Sequence, residues 1–377
     1  MRQNTIKIKI PKYMKLHFLL SIFCLLNFPS FSQIEELTDK EKAYRDSITA
    51  LNIKNENIAK SKEAYNLGIK LYSEKKYLKA IEQFKKSIKL DSNFIAAYYN
   101  KGVAENENQN YNDAIKTMDK LIVLKPKHSS AFFQRARAYQ KLNNYLKSEE
   151  DYERAIELDN TNFKSYYNYG TLRFIQKDYD GAIYYFSKTI ELENELVNAY
   201  NDLGSSYRMK GEFDKAISNY EIAIRKNPNL AFVLNNIGTT KSKMNDYNGA
   251  LAAFNRAISI DANFHLAYNN RGVLQKNEGR LDDAIKDFNK ALNIEVNYSP
   301  SASNLSGIYF IKKDYEKALE LANKAIKMDA ENAAAYVNRG MAKEMLRDLN
   351  GACDDWKKAR ELGSETGKNY FSGNCSN

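Results

Sequence analysis

The chain has 377 residues, and it contains only 16 glycines and 5 prolines. So few helix breakers favour long helices and argue against a β-sandwich or barrel. The net charge is +10, but five basic residues lie in the first 32 residues, where no acid occurs. Elsewhere Lys and Arg alternate with Asp and Glu, so the concentrated basic surface of a nucleic-acid binder is not expected.

Residues 1–32 have the pattern of a secretory signal peptide. A basic region ends at Lys15, an apolar run spans residues 18–26, and Pro29 precedes the small residues Ser30 and Ser32. We expect cleavage between Ser32 and Gln33 and export to the periplasm or cell surface. The apolar run is short for a bilayer span, so no membrane span is expected in the mature form. A membrane anchor, a lipid-modified Cys24 and a true start at Met14 remain alternatives.

Residues 33–60 precede the repeated part of the chain. Thr38 followed by Glu41 predicts a helix start near residue 38, and the helix would extend to Leu51. This segment is either a cap on the first repeat or a flexible linker, and the sequence leaves both open.

A 34-residue period begins at Ser61 and continues without insertion or deletion. With Ser61 as position 1, position 8 is Gly, Ala or Ser, position 17 is aromatic or Leu, and position 20 is Ala or Ser. Nine units follow from this register: 61–94, 95–128, 129–162, 163–196, 197–230, 231–264, 265–298, 299–332 and 333–366. Residues 367–377 form a tail.

The spacing within each unit predicts a pair of helices. Positions 4, 7, 8 and 11 share one face of a first helix, and positions 20, 21, 24, 27 and 28 share one face of a second. Small residues at positions 8 and 20 allow close approach. One pair is too small to bury its apolar face alone, so stacked units bury it jointly.

These columns resemble those of the tetratricopeptide repeat family. The resemblance covers residues 61–366 and implies an all-α, right-handed superhelical solenoid whose first helices line a concave groove. It also implies a non-enzymatic protein that binds a protein or peptide through positions 2, 5, 6, 9, 12 and 13 of those helices.

Positions 5 and 6 supply the predicted partner-binding residues. Amides can clasp an extended peptide backbone at position 6, and position 5 changes from aromatic to amide along the chain. The predicted groove residues are Tyr65, Asn66, Tyr99, Asn100, Phe133, Gln134, Tyr167, Asn168, Asn201, Asp202, Asn235, Asn236, Asn269, Asn270, Asn304 and Asn338. The alternatives are that the amides are merely solvated and that the rings pack on the preceding repeat.

The end of the array predicts a cap. Arg360 stands at position 28, where earlier units carry Ile or Leu, and Cys353 and Cys375 are the two cysteines of the mature chain. An exported chain reaches oxidising surroundings, so we predict a Cys353–Cys375 disulfide over a partial helix at Ser364–Phe371. Two unrelated thiols are the alternative.

No catalytic, metal or cofactor site is predicted. His128 and His265 lie in different repeats, and the sequence contains no metal-binding or nucleotide-binding motif. A clamp for an acidic C-terminus is not expected either, since Lys62, Lys164 and Arg137 are isolated from one another.

The leading functional hypothesis is a protein-interaction scaffold, with envelope complex assembly as its expected setting. One alternative is a holdase-type chaperone that binds unfolded chains at the aromatic rings. Another is a carbohydrate or cell-wall binding module.

Overall fold

The computed structural model describes residues 39–375, so the predicted signal peptide and its cleavage site lie outside the described residues. Within that range the chain is entirely helical, without strands. The helices are α1 Asp39–Ser73, α2 Tyr77–Leu90, α3 Ile95–Glu107, α4 Tyr111–Leu124, α5 Ser129–Lys141, α6 Tyr145–Leu158, α7 Phe163–Ile175, α8 Tyr179–Leu192, α9 Val197–Met209, α10 Phe213–Lys226, α11 Ala231–Lys243, α12 Tyr247–Ile260, α13 His265–Asn277, α14 Leu281–Ile294, α15 Ser299–Ile311, α16 Tyr315–Met328, α17 Ala333–Met345, α18 Leu349–Glu361 and α19 Glu365–Asn374.

The turn inside each helix pair depends on position 15. This residue has a positive φ in all nine units, for example 82° at Gly211, 57° at Asn143 and 58° at Lys75. A left-handed residue ends a helix by turning the next amides back to its last carbonyls. In the first unit the Lys76 amide donates to the Leu71 carbonyl over 2.9 Å. Glycine and asparagine adopt this conformation at low cost, whereas Lys75 does so less readily.

The small residue at position 8 sets the spacing between the two helices of a pair. A Cβ added to Gly170 would lie 2.8 Å from the ring of Phe186 at position 24. Phe186 is 1% exposed, and Ala182 at position 20 is fully buried beside it. The ring therefore occupies the space that a larger residue at position 8 would need.

The array curves because its two sets of helices pack differently. Every helix contacts its neighbours in the chain, and the first helix of each unit also contacts the first helix of the next. Among residues 39–375 no such contact joins the second helices. The first helices therefore line the inner side of a superhelical solenoid, the architecture that the sequence predicted.

The N-terminal end differs from its prediction. Helix α1 runs from Asp39 to Ser73 without a break, so it joins the leading segment to the first helix of unit one. The helix expected over Thr38–Leu51 is thus present from Asp39, but it continues past Leu51. Residues 39–56 are exposed, so this part of α1 extends beyond the array and does not cover unit one.

The C-terminal end is covered by α19. Ser364 caps this helix by accepting a hydrogen bond from the Gly367 amide, and Tyr370 stacks on the fully buried Trp356 at a centroid distance of 5.1 Å. The guanidinium of Arg360 lies 4.4 Å from the centroid of the Phe371 ring. The structure joins Cys353 to Cys375 in the predicted disulfide, with their Cα atoms 5.7 Å apart.

Candidate partner-binding groove

The inner side of the solenoid is a concave groove walled by the first helices, α1 to α17 in odd numbers. Side chains at positions 5 and 6 meet where adjacent first helices touch. There the position 6 side chain of one unit bonds to the position 5 residue of the unit before it. We call this line of contacts the seam.

From the fourth unit onward the seam is continuous. Tyr167 donates its hydroxyl proton to Asp202 over 2.7 Å. At each following junction, the side-chain amide of an asparagine donates the hydrogen bond. These bonds are Asn236 to Asn201 at 2.9 Å, Asn270 to Asn235 at 3.0 Å, Asn304 to Asn269 at 3.1 Å and Asn338 to the Ser303 carbonyl at 2.8 Å. One amide proton of each position 6 asparagine is thereby used within the protein.

The seam is interrupted in the second and third units. Phe133 has no acceptor to offer, and Asn168 instead donates to the Lys164 carbonyl of its own helix over 2.8 Å. Gln134 accepts from Asn106 and Arg137 rather than bonding to Tyr99. At the first junction Asn100 does donate to the Tyr65 hydroxyl, over 2.9 Å.

The aromatic rings at position 5 are packed and offer little free surface. Tyr65 lies 4.9 Å from Phe94 and Tyr167 lies 5.7 Å from Phe186, measured between ring centroids. Tyr99 packs beside His128, and Phe133 is only 7% exposed. The position 5 asparagines of units five to seven, Asn201, Asn235 and Asn269, are buried as well. That these residues bind a partner stays a prediction; the structure places them mainly between units.

The groove contains a pocket at the junction of units four and five. A second cavity, of about 490 Å³, lies on the outer side of the solenoid. The groove pocket has a volume of about 290 Å³ and an apolar floor formed by Phe174 and Phe186. Asp202 and Arg208 line it together with Thr171 and Ser205. Burial raises the pKa of Asp202 above its usual value, although the bonds from Tyr167 and Asn201 act in the opposite direction.

Two basic residues on the groove wall lack a counterion. The Nε atom of Arg208 is buried and has no hydrogen-bond partner. Lys276 occupies the same position, 12, two units later, and burial lowers its pKa. Among residues 39–375 neither side chain forms a salt bridge. Both side chains are half-buried. A partly desolvated cation without a partner is costly, so both sites favour an anionic group from outside the chain.

Sequence reasoning did not single out these two residues. Position 12 was expected to line the groove, and it reads Tyr, Asn, Gln, Phe, Arg, Ser, Lys, Phe and Glu through the nine units. That column contains the two cations, but the sequence could not show that they lack partners. Lys210 at the C-terminal end of α9 and Lys241 on α11, by contrast, are paired with Asp180 and Asp246.

Residues 39–375 contain neither a metal-binding cluster nor a membrane-spanning helix. In this part of the chain no group of three or more His, Cys, Asp or Glu residues is arranged to hold a metal ion. Nor does any helix there combine the length and apolar character that a bilayer span requires.

Comparisons with known proteins give a consistent family and fold. Five family models, all described as tetratricopeptide repeat, match residues 95–128, 129–162, 151–184, 195–263, 265–298 and 300–332. Together these segments cover more than half of the chain. A search of curated proteins gave no match.

Solved structures share the fold at low sequence identity. A tetratricopeptide repeat protein from Parabacteroides merdae is 19% identical, with a TM-score of 0.56 over 65% of this chain and 97% of that one. The Cut9–Hcn1 hetero-tetramer of the APC/C contains a chain that is 13% identical, with a TM-score of 0.53 over 84% and 76%. The C-terminal part of a repeat protein from Cytophaga hutchinsonii is 20% identical, with a TM-score of 0.50 over 64% and 98%. Identities this low concern the fold alone.

Proposed function

Because the chain belongs to the tetratricopeptide repeat family, we propose that it binds an extended, acidic segment of another protein in its concave groove. Proteins of this family generally mediate protein–protein interaction, and their repeats are typically non-catalytic scaffolds. The observation that carries the acidic character of the partner is the pair of unpartnered cations, Arg208 and Lys276.

The spacing of these cations sets the spacing of the partner's acids. They lie on α9 and α13, and α11 packs between those helices. Adjacent packed helices are about 8 to 10 Å apart, so the two cations are up to about 20 Å apart. An extended chain advances about 3.3 Å per residue. Two carboxylates about six residues apart would therefore reach both cations.

The groove pocket adds a second requirement. Its floor of Phe174 and Phe186 favours an apolar side chain, and Arg208 lies on its wall. An apolar residue next to the first acid would bury its side chain there, while the acid neutralises the guanidinium. Position 6 asparagines such as Asn236 keep a carbonyl oxygen and a second amide proton for the partner's backbone.

A labelled peptide of about ten residues tests the proposal. It carries two glutamates about six residues apart with a leucine beside the first, and a matched peptide has glutamines instead. We expect only the acidic peptide to bind, measured by fluorescence anisotropy at low and high salt. Arg208→Gln and Lys276→Gln should each weaken binding by about tenfold, the typical worth of a charge-assisted hydrogen bond.

The control variant is Arg225→Gln. Arg225 is exposed on α10 and lines a cleft on the outer side of the solenoid. Its replacement should leave binding unchanged. Equal binding of both peptides would reject the acidic partner and favour the holdase alternative, in which the groove holds unfolded chains without regard to charge.

We further propose that the protein acts outside the cytoplasm, in the assembly of envelope complexes. Two features support this proposal: the signal-like pattern of residues 1–32, and the Cys353–Cys375 disulfide, a bond that persists in oxidising compartments. Cell fractionation and N-terminal sequencing of the mature protein test it. A chain that retains residues 1–32 in the cytoplasm would contradict it.

A further inference from the structure

The outer side of the second unit contains an open cleft between α2, α3 and α4. Its volume is about 490 Å³. Ile81 and Ile88 of α2 and Tyr98 of α3 form an apolar floor, and lysines stand around it. The corresponding space is closed in several other units, and the manner of closure indicates what is missing here.

Elsewhere, a donor at position 7 closes this space by bonding to an oxygen at position 25 of the unit before. Arg135 donates to Asp119 over 2.6 Å, and its other nitrogens bind Asp151 at position 23. Unit four uses Tyr169, which donates to Glu153 over 2.7 Å. Units seven and nine repeat the arginine arrangement with Arg271, Asn255 and Asp287, and with Arg339, Asn323 and Asp355.

The second unit cannot make this closure. Position 25 of the preceding unit is Lys85, which is a donor and cannot accept, and position 23 is Thr117. Lys101 at position 7 turns instead to Glu105 on its own helix, over 2.6 Å, and to Thr117 over 2.7 Å. Glu105 is 3% exposed and is satisfied by these two neighbours. Nothing therefore bridges α2 to α3 through the cleft.

The lysines of the cleft leave it positively charged. Lys101 is neutralised by Glu105, and Lys116 lies 3.6 Å from Asp113. Lys85 and Lys120 form no salt bridge within residues 39–375. Lys85 therefore stands at position 25, where several other units place a carboxylate or amide oxygen, and Lys120 stands at the neighbouring position 26 of the next unit. Both side chains are exposed at the rim of the apolar floor.

We propose that this cleft binds a small organic anion with a flat apolar body, whose charged end is a carboxylate or a phosphate monoester. The anionic end supplies the acceptor that is missing at position 25, where Lys85 stands, and it bonds to Lys85 and Lys120. The apolar body lies on Ile81, Ile88 and Tyr98. This site is separate from the groove, so it does not depend on the proposed peptide partner.

A cleft in the corresponding place of the sixth unit allows a comparison at position 25. That cleft has a volume of about 440 Å³ and an apolar floor that includes Leu234 and Ile237. Its position 25 residue is Glu221, an acceptor, where the second unit has Lys85. The Lys85→Glu variant therefore gives the second unit the position 25 acceptor that other units have.

Isothermal titration of the mature full chain with phenyl phosphate, benzoate and inorganic phosphate tests the proposal. We expect saturable binding of at least one aromatic anion at a single site, weakened by salt, and weaker binding of inorganic phosphate because it cannot use the apolar floor. Lys85→Glu should weaken binding of that anion by about tenfold. The aromatic anion that binds more tightly shows whether the site prefers a carboxylate or a phosphate monoester.

Lys290→Glu is the matched control, because Lys290 occupies in the seventh unit the position that Lys120 has in the second. There the space is closed by the hydrogen bond from Arg271 to Asn255. This variant should bind as the wild type does. Equal weakening by Lys85→Glu and Lys290→Glu would show diffuse charge attraction and overturn the proposal, as would the absence of binding by both aromatic anions.

Discussion

The junctions around units two to four and those of units five to eight hold adjacent repeats together by different chemistry. Near Phe133 and Tyr167, aromatic rings lie in apolar clusters that extend into the next unit, to Leu172 and Leu203 respectively. In the later junctions, buried amides such as Asn235 bond across to the next unit. Ring burial is large but weakly directional, whereas a hydrogen bond is smaller and fixes geometry. We infer that the early junctions contribute more stability and the later ones a more definite orientation.

The largest expected effect is that of Tyr167→Ala. The change removes a ring packed on Phe186 and takes the hydroxyl donor from the buried carboxyl group of Asp202. We expect a loss of about 3 kcal/mol in the free energy of unfolding, as for other aromatic truncations. Urea denaturation measures it, with Tyr44→Ala on the exposed part of α1 as control. A loss no larger than that of an amide variant would contradict the comparison.

Asn235→Ala should have a smaller effect of about 1.5 kcal/mol. Asn235 is 8% exposed and accepts the bond from Asn270, whose amide would then lose this partner. Hydrogen exchange should increase most in α11 and α13, which meet at this junction. Asn66→Ala is the matched control, since Asn66 is the exposed position 6 residue of the first unit and has no preceding unit. If both variants behave alike, the seam does not stabilise the array.

Tyr167→Phe separates the ring from the hydroxyl. It should cost about 1 kcal/mol at neutral pH, because one hydrogen bond to a buried carboxylate is lost. Burial already raises the pKa of Asp202, and the Tyr167 bond counteracts this, so the variant should raise that pKa further. The ionised form is the one destabilised. The stability difference should therefore be full above both folded pKa values and shrink as the pH falls through them. Carbon-detected NMR titration of Asp202 checks the shift, and an unchanged pKa would contradict it.

Lys276→Met should have the smallest effect, with the opposite sign. Burial lowers the pKa of Lys276, so the charged amine destabilises the fold at every pH below its folded pKa. Removing it should raise the Tm by about 1 to 2 °C at neutral pH, as expected for roughly 0.5 kcal/mol. This gain should disappear as the pH rises towards 10.5, the unperturbed value. Lys243→Met, at an exposed position on α11, should give no such gain.

The sequence predicted the fold well because its strongest signals are periodic. The Gly and Ala columns at positions 8 and 20 are visible without coordinates, and Gly170 with Phe186 shows that they report helix spacing. The disulfide was predictable because Cys353 and Cys375 are the two cysteines outside the predicted signal peptide. The unbroken course of α1 through the leading segment was not predictable, because nothing in residues 51–61 distinguishes a linker from a continuing helix.

The site was less predictable, for a physical reason. Periodicity states which face a residue occupies, but not which neighbour satisfies it. Asn236 and Asn168 share position 6, yet one bonds to the preceding unit and the other to its own helix. The difference arises from Asn201 and Phe133 at position 5, one unit earlier. Likewise, Lys276 became notable only once its surroundings showed no carboxylate.

The covered C-terminal end also has an evolutionary consequence. Helix α19 and the Cys353–Cys375 bond occupy the face on which a tenth unit would stack. A unit added beyond α19 would therefore have no surface to join, whereas a 34-residue duplication upstream would keep both the register and the cap. Length variation in this lineage should thus occur by whole-unit gain or loss inside the array. Each event would lengthen or shorten the groove by one step and leave the final pair unchanged.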